Sequence, residues 1–230
     1  MSIVRRRPRR RADFVSLVSH ELRGPTAAVV GAARTLQERW DELAAEQRDS
    51  LLSLIVDEAG RLATLVDDVL DVSRIESGTF SCSFAEVDLG ELVRESAATV
   101  ALEQGDVAVQ ELTGEPLPTV RGDRKRLKQV LMNLIDNAVK YSPAGGTIEV
   151  RAYAENGHVF VDVHDEGPGI APEHQELIFE KFGRVSVGGE KPGTGLGLYI
   201  ARSIVHAHGG SLRVRSSPEG GATFTLELPA

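Results

Sequence analysis

Two stretches of this chain place apolar residues alternately three and four positions apart, and that spacing limits what the N-terminal third can become. The first runs Val15, Val18, Leu22, Pro25, Val29, Ala32, Leu36; the second runs Leu51, Ile55, Glu58, Leu62, Leu65, Val69, Val72, with Glu58 the one polar intruder. This is the a/d seam of a coiled coil, a pattern that strands and loops do not keep. Between them "DELAAEQ" reads as a short connection, so they are predicted to form an antiparallel helical hairpin. Two helices bury too little apolar surface by themselves, and a homodimer forming a four-helix bundle is the expected solution.

The same register locates the segment "SHELRGP". With Val15 at a and Val18 at d, His20 falls at f, farthest from the seam, and Glu21 falls at g on the flank. Pro25 removes a backbone donor and is expected to kink the helix just after His20, with Gly24 loosening the same turn. The pattern presents an exposed imidazole beside a carboxylate. Taken alone, it is as compatible with a harmless surface histidine as with a reactive one.

Composition narrows the class. The 230 residues suffice for one large or two modest domains, and Cys82 is the only cysteine, so neither an intrachain disulfide nor a zinc-ligand pattern is available. That fits a reducing compartment. No apolar run approaches about 18 residues, and no signal-peptide pattern is present. Residues 1–11 hold six arginines and no acid, and without them 20 basic residues face 34 acidic ones, a net of −14. So acidic a body argues against nucleic-acid binding. The arginine run is expected to be a solvated tail or the juxtamembrane edge of a longer protein.

Past Glu76-Ser77-Gly78 the pattern changes, and a domain boundary is expected there, giving a basic tail 1–11, a hairpin 12–77 and a second domain 78–230. Residues 80–87 and 106–112 read as strands flanking a helix from about Leu89 to Glu103, and Asp123 caps a helix running to Tyr141. Strands Thr147–Ala154 and His158–His164 turn at Asn156-Gly157, and Ser211–Arg215 and Ala222–Leu228 close the chain. The expected fold is an α+β sandwich, one mixed sheet with helices on one face.

Four stretches in this domain bear on chemistry. Asn133, Asn137 and Lys140 share one helix face; their oxygens suit magnesium and the ammonium suits phosphate, yet the triplet also fits an ordinary polar face. Asp165-Glu166-Gly167-Pro168-Gly169-Ile170 follows a strand; a carboxylate there can accept the amine proton that adenine offers, or simply end the strand in a turn. Gly193-Thr194-Gly195-Leu196-Gly197-Leu198 opens a helix and offers backbone donors to phosphate, without matching a P-loop or Rossmann pattern. The glycine-rich "RVSVGGEKPG" before it reads as a lid, and "IFEKFGR" before that as packing, with Arg184 a weaker phosphate or partner contact.

Taken in order, these stretches resemble the sensor histidine kinases of two-component systems. "FVSLVSHELRGP" is similar to their H box, "LMNLIDNAVKYS" to the N box, "DEGPGI" and "GTGLGL" to two glycine boxes, "IFEKFGR" to the F box and "GGATFTLELP" to a third glycine motif. The resemblance covers residues 12–230 and implies a dimerising phosphotransfer hairpin followed by a Bergerat-type ATP-binding domain, shared in fold with heat-shock-90 chaperones, gyrase and mismatch-repair ATPases. It implies that His20 is the phosphoacceptor, with Glu21 orienting its ring and accepting its other proton. It further implies that Asn133 and Asn137 hold Mg2+ against ATP, with Lys140 alongside and Tyr141 lining the site. Asp165 would recognise the adenine amine, Gly167 and Gly169 shaping that pocket and Thr223 supporting it. Gly193, Thr194, Gly195, Leu196 and Gly197 would cover the phosphates. The phosphoryl group would pass to an aspartate of a response-regulator receiver domain. The implied location is the cytoplasm, for a free protein or for the inner portion of a membrane-bound sensor.

One position departs from the family. Where a threonine or asparagine commonly sits four after the histidine and positions water for receiver dephosphorylation, this chain has Gly24. Thr26 lies about 200° further round an ideal helix. A competent kinase with poor phosphatase activity is expected. The competing readings are a nucleotide-binding scaffold without phosphotransfer and an ATPase of the chaperone or repair type, neither of which needs an outward histidine on a heptad hairpin.

Overall fold

The computed structural model describes residues 7–103, 107–114, 116–185, 193–217 and 220–230, with side chains described from residue 16 onward except at 103. The chain forms two units, Met1–Glu76 and Ser77–Ala230.

The first unit is a hairpin of helices α1 (Arg7–Arg39) and α2 (Ala45–Ser77). The heptad positions are the inward ones. Pro25, Ala32, Leu36 and Leu65 are buried, and Val18, Leu22, Val29, Leu51, Ile55, Glu58, Leu62 and Val69 are half-buried. At the turn, Gln47 Oε1 accepts the Ala44 N–H at 3.0 Å, the reach-back half of a capping box, and the Arg48 guanidinium lies 4.7 Å from the centre of the Trp40 ring. Helix α1 already includes residues 7–11, which composition alone sets apart as a tail; arginine is a good helix former and Pro8 falls in the first turn, where proline is tolerated. Residues 1–6 of that tail lie outside the described residues. The helix also runs continuously through Pro25.

A second apolar stripe occupies another face of α2. Leu52, Val56, Ala59, Ala63, Val66 and Leu70 recur at the same three-and-four spacing, and all are exposed in the single chain, Val56 at 69% and Val66 at 48%.

The second unit contains β1 (Ala85–Val87), α3 (Leu89–Glu103), β2 (Ala108–Glu111), β3 (Val120–Gly122), α4 (Arg124–Tyr141), β4 (Thr147–Glu155), β5 (His158–Asp165), α5 (Gly197–Ala207), β6 (Ser211–Ser216) and β7 (Ala222–Pro229). Two single-turn 3-10 segments, Pro172–His174 and Leu177–Phe179, precede α5. Five strands form one mixed sheet in the order β2-β4-β5-β7-β6, where β2 and β4 are parallel and the other neighbours antiparallel. The remaining strands, β1 and β3, pair as a separate two-stranded ribbon, not as part of a single sheet. At three residues each, they are too short for alternation to show in the sequence.

Burial alternates along β5, with Val159, Val161, Val163 and Asp165 on the covered face. That face meets the apolar side of α4, made of Leu127, Val130, Leu131, Leu134, Ile135 and Ala138, while the inner side of α5, made of Ile200, Ala201, Ile204 and Val205, packs on β6 and β7 of the same sheet. The β4–β5 turn takes Asn156 at φ 51° and Gly157 at φ 78°, the two left-handed residues of a tight hairpin.

Candidate functional site

On the hairpin, the His20 side chain is 78% exposed and that of Glu21 only 13%, so the ring stands in solvent beside a sheltered carboxylate. His20 Nδ1 lies 3.8 Å from Glu21 Oε1, which leaves Nε2 on the side away from the carboxylate. Four residues on, a Cβ built at Gly24 meets nothing within 4 Å. The Thr26 hydroxyl donates to the Leu22 carbonyl at 2.7 Å, so it is folded onto its own helix.

In the second unit, α4 sets the position of the asparagines. Asp123 caps it, accepting the Arg126 N–H at 3.2 Å and also that of Ser83 at 2.8 Å. Burial alone would raise the Asp123 carboxyl, but the backbone N–H groups of Ser83, Arg126 and Lys125 outweigh it and hold the group below the usual carboxylate range. Because the apolar side of α4 faces the sheet, Asn133 and Asn137 fall on its half-buried flank. Asn133 Nδ2 donates to the Gly197 carbonyl at 3.1 Å, which ties α4 to the start of α5 and leaves the amide oxygen as an acceptor. One turn past Asn137, Lys140 Nζ lies 5.0 Å from the centre of the Tyr141 ring, and a Cβ at Gly193 would come within 2.7 Å of the same nitrogen.

Asp165 ends β5 on the covered face at 4% exposure. Desolvation raises its carboxyl above the usual range, against the lowering effect of backbone hydrogen bonds from Gly167 and Ala222. Gly167 N–H donates to Asp165 Oδ1, and any side chain at 167 would strike that oxygen and the Tyr141 carbonyl. Gly169 turns with φ 74°. A buried carboxylate beside backbone left bare at Gly167 and Gly169 suits recognition of a flat base with an amine edge.

Among the glycines that open α5, Gly195 holds φ 68°, and Thr194 Oγ1 accepts the Leu196 N–H at 3.2 Å. No side chain caps α5 at Leu196, so its first N–H groups keep their capacity for an anion. Of "RVSVGGEKPG", residues 186–192 lie outside the described residues. The phenylalanines of "IFEKFGR" divide in use. Phe179 is buried edge-on against Phe224, ring centres 6.2 Å apart, which is packing. Phe182, however, adopts φ 67° and donates its N–H to the Gly195 carbonyl at 3.0 Å, tying the F-box stretch to the glycines that open α5. A left-handed phenylalanine is uncommon enough to mark a constrained position.

Thr223 is not beside Asp165. In the β5–β7 register Asp165 stands opposite Ala222, while Thr223 stands opposite His164 and its Oγ1 bonds His164 Nδ1 at 3.0 Å on the other face of the sheet. The period of two puts neighbours on opposite faces, and the covered position belongs to residue 222. Of three supports of the Asp165 loop, two belong to no motif and the third, Gly221, lies in the last glycine motif. The Ser216 hydroxyl accepts the Ile170 N–H at 2.8 Å, Gln175 Nε2 donates to the carbonyls of Ile170 and Ser216, and a Cβ on Gly221 would collide with the Asp165 carbonyl. Only Gly221, in a "GG" pair before a strand, leaves a signal in the sequence.

Magnesium is compatible with this donor set. Among the described residues no three His, Cys, Asp or Glu side chains cluster as a metal cage, and Mg2+ needs none, taking one or two protein oxygens with phosphates and water.

Two family models match the chain: the His Kinase A (phospho-acceptor) domain over residues 10–78, and the histidine kinase-, DNA gyrase B- and HSP90-like ATPase over residues 122–230. The alginate biosynthesis sensor protein KinB of Pseudomonas aeruginosa is 36% identical over 95% of this chain, and the sensor-like histidine kinase SenX3 of Mycobacterium tuberculosis 36% identical over 96%. The chain spans 37% and 54% of those two relatives. Among solved structures, the mycobacterial sensor histidine kinase MprB is 35% identical at TM-score 0.57, covering 64% of this chain and 97% of its own. Full-length ShkA in complex with AMPPNP is 35% identical at TM-score 0.67, over 95% of this chain and 45% of its own. Histidine kinase ThkA in complex with the response regulator TrrA is 28% identical at TM-score 0.66, over 97% of this chain and 64% of its own.

Proposed function

Because the chain belongs to the sensor histidine kinases of two-component systems, we propose that it phosphorylates its own His20 from ATP and passes the phosphoryl group to an aspartate of a receiver domain. The observation that carries this reading is the disposition of one ring: His20 stands outward with Nδ1 facing Glu21. The Nε2 lone pair attacks the γ-phosphorus, the bond from that phosphorus to the β–γ bridging oxygen breaks, and ADP leaves with the bond's electrons. Glu21 takes the Nδ1 proton, so the phosphorylated ring ends neutral. Positioning and charge neutralisation supply most of the rate.

In this reading Asp165 accepts the adenine amine proton over the backbone strip of Gly167 and Gly169, and Tyr141 lines the same pocket. Lys140 and the N–H groups from Gly193 to Gly197 face the phosphates. Asn133 and Asn137 hold Mg2+ through their amide oxygens, and the ion neutralises phosphate charge when bound. The match to full-length ShkA in complex with AMPPNP supports ATP as the nucleotide.

The exposed stripe from Leu52 to Leu70 takes a second copy of the chain, completing a four-helix bundle. A receiver domain is the phosphoryl acceptor, as the ThkA–TrrA complex supports. An ATP-dependent kinase with such a partner works in the cytoplasm; among the described residues no helix is long and apolar enough to cross a membrane. We further propose weak phosphatase activity, since Gly24 offers no side chain and the Thr26 hydroxyl is bonded to Leu22.

Incubation with γ-labelled ATP tests the central step. Acid-labile, base-stable label on the protein, lost in His20→Gln with nucleotide binding intact, is the expected result. Free phosphate without protein label would point to an ATPase, and neither product to a scaffold.

A further inference from the structure

One charged residue in the hairpin lies outside the motifs quoted above, yet faces the assigned machinery. Arg61 lies on α2, directly before the seam residue Leu62. Its Nη2 is 4.0 Å from Glu21 Oε2 on α1, and its Nη1 is 4.0 Å from Glu58 Oε2 one turn back on its own helix. Glu21 therefore divides its two oxygens, Oε1 toward His20 Nδ1 at 3.8 Å and Oε2 toward Arg61.

Glu58 explains why the guanidinium is held there. It occupies a position that the heptad gives to apolar residues, its side chain is only 22% exposed, and its Oε2 is buried without a hydrogen bond among the described residues. A carboxylate in that seam calls for a partner, and Arg61, one turn on, supplies it. The guanidinium is thus anchored from α2 and presented to the α1 carboxylate. The pairs are long and Arg61 is 44% exposed, so their contribution to folding is small. What the arrangement does supply is orientation.

From this geometry we infer that Arg61, anchored by Glu58, is the positioning residue that turns Glu21 toward His20 and so readies it as the base. The inference rests on the reading of His20 as phosphoacceptor and Glu21 as its base. It has the logic of nucleophile, base and orienting third group, with the third group supplied by the other helix of the hairpin.

A double-mutant cycle on the full chain tests it, reading single-turnover labelling from γ-labelled ATP at saturation, with ATP affinity and thermal midpoint measured alongside. Glu21→Gln is expected to slow labelling on the order of 100-fold. Arg61→Ala is expected to slow it about tenfold with ATP affinity and midpoint unchanged, Arg61→Lys to recover most of the loss, and Glu58→Gln to give a smaller loss. In the Glu21→Gln background, Arg61→Ala should add nothing, because it acts through that carboxylate. An unchanged rate in Arg61→Ala, or the same tenfold loss without Glu21, would overturn the assignment of Arg61 while leaving the kinase reading in place. Label surviving in His20→Gln would instead remove the phosphoacceptor, and a neutral Glu21→Gln would remove the base and with it any role for Arg61 in orienting it.

Discussion

Gly167 donates its backbone N–H to Asp165 Oδ1 at 2.9 Å, and a Cβ added at 167 would stand 2.6 Å from that same oxygen. The carboxylate is thus held by a residue that has no room for a side chain. Gly167→Ala should push Asp165 aside and weaken ATP binding at least tenfold, about 1.4 kcal/mol, with far-ultraviolet dichroism unchanged. Titration calorimetry with ATP and Mg2+ checks it.

Asp165→Asn separates binding from stability. Burial raises the Asp165 carboxyl, so the folded chain holds this proton more tightly than the unfolded one. The group's stabilising contribution is therefore complete below the usual carboxylate range and is lost as pH rises through its raised folded value. Above that raised value the ionised side chain weighs against the fold, and there the amide should leave the thermal midpoint unchanged or higher. ATP affinity should fall about 10- to 100-fold with loss of the charged acceptor. Calorimetry and a melt on the same sample read both outcomes.

Asp123 titrates with the opposite sign. Its folded value lies below the usual range, so its stabilisation is present above that range and disappears as pH falls through the folded value. Asp123→Ala removes the α4 cap and should cost about 1 kcal/mol at neutral pH. The gap in urea midpoint between this variant and the parent should narrow toward acid.

Open space around Gly24 makes the missing side chain a direct experiment. Gly24→Thr should speed dephosphorylation of a cognate receiver without slowing labelling of His20, and β-branching at one exposed helical site costs less than the glycine it replaces. Unchanged receiver turnover would remove the phosphatase proposal.

Val66, 48% exposed in the α2 stripe, lies on the face proposed for a second copy. Val66→Glu would bury a charge, and one on each chain, in that interface, so light scattering should report a monomer where the parent is a dimer.

Much of this was legible from the sequence because the signals are periodic or stereochemical. The heptad fixed the inward residues of both helices, Asn156-Gly157 marked a hairpin through its two left-handed conformations, and Asp123 marked the start of α4. What escaped has a common physical origin. Strand β3 is too short to alternate, Thr223 sits one residue from the covered position, and the hydrogen bonds of Ser216 and Gln175 join segments far apart in sequence. Arg61 is equally hidden, because in the sequence Glu58 reads as a flaw in the seam and only the fold sets Arg61 between it and Glu21.

Proline at 25 has no N–H to offer the carbonyl four residues earlier, and that carbonyl belongs to Glu21. The rod is therefore most compliant at the residue assigned as the base. On the proposed assignment, a torque applied to α1 would concentrate its strain at that missing bond, so mechanical load and the proton acceptor would share a single joint.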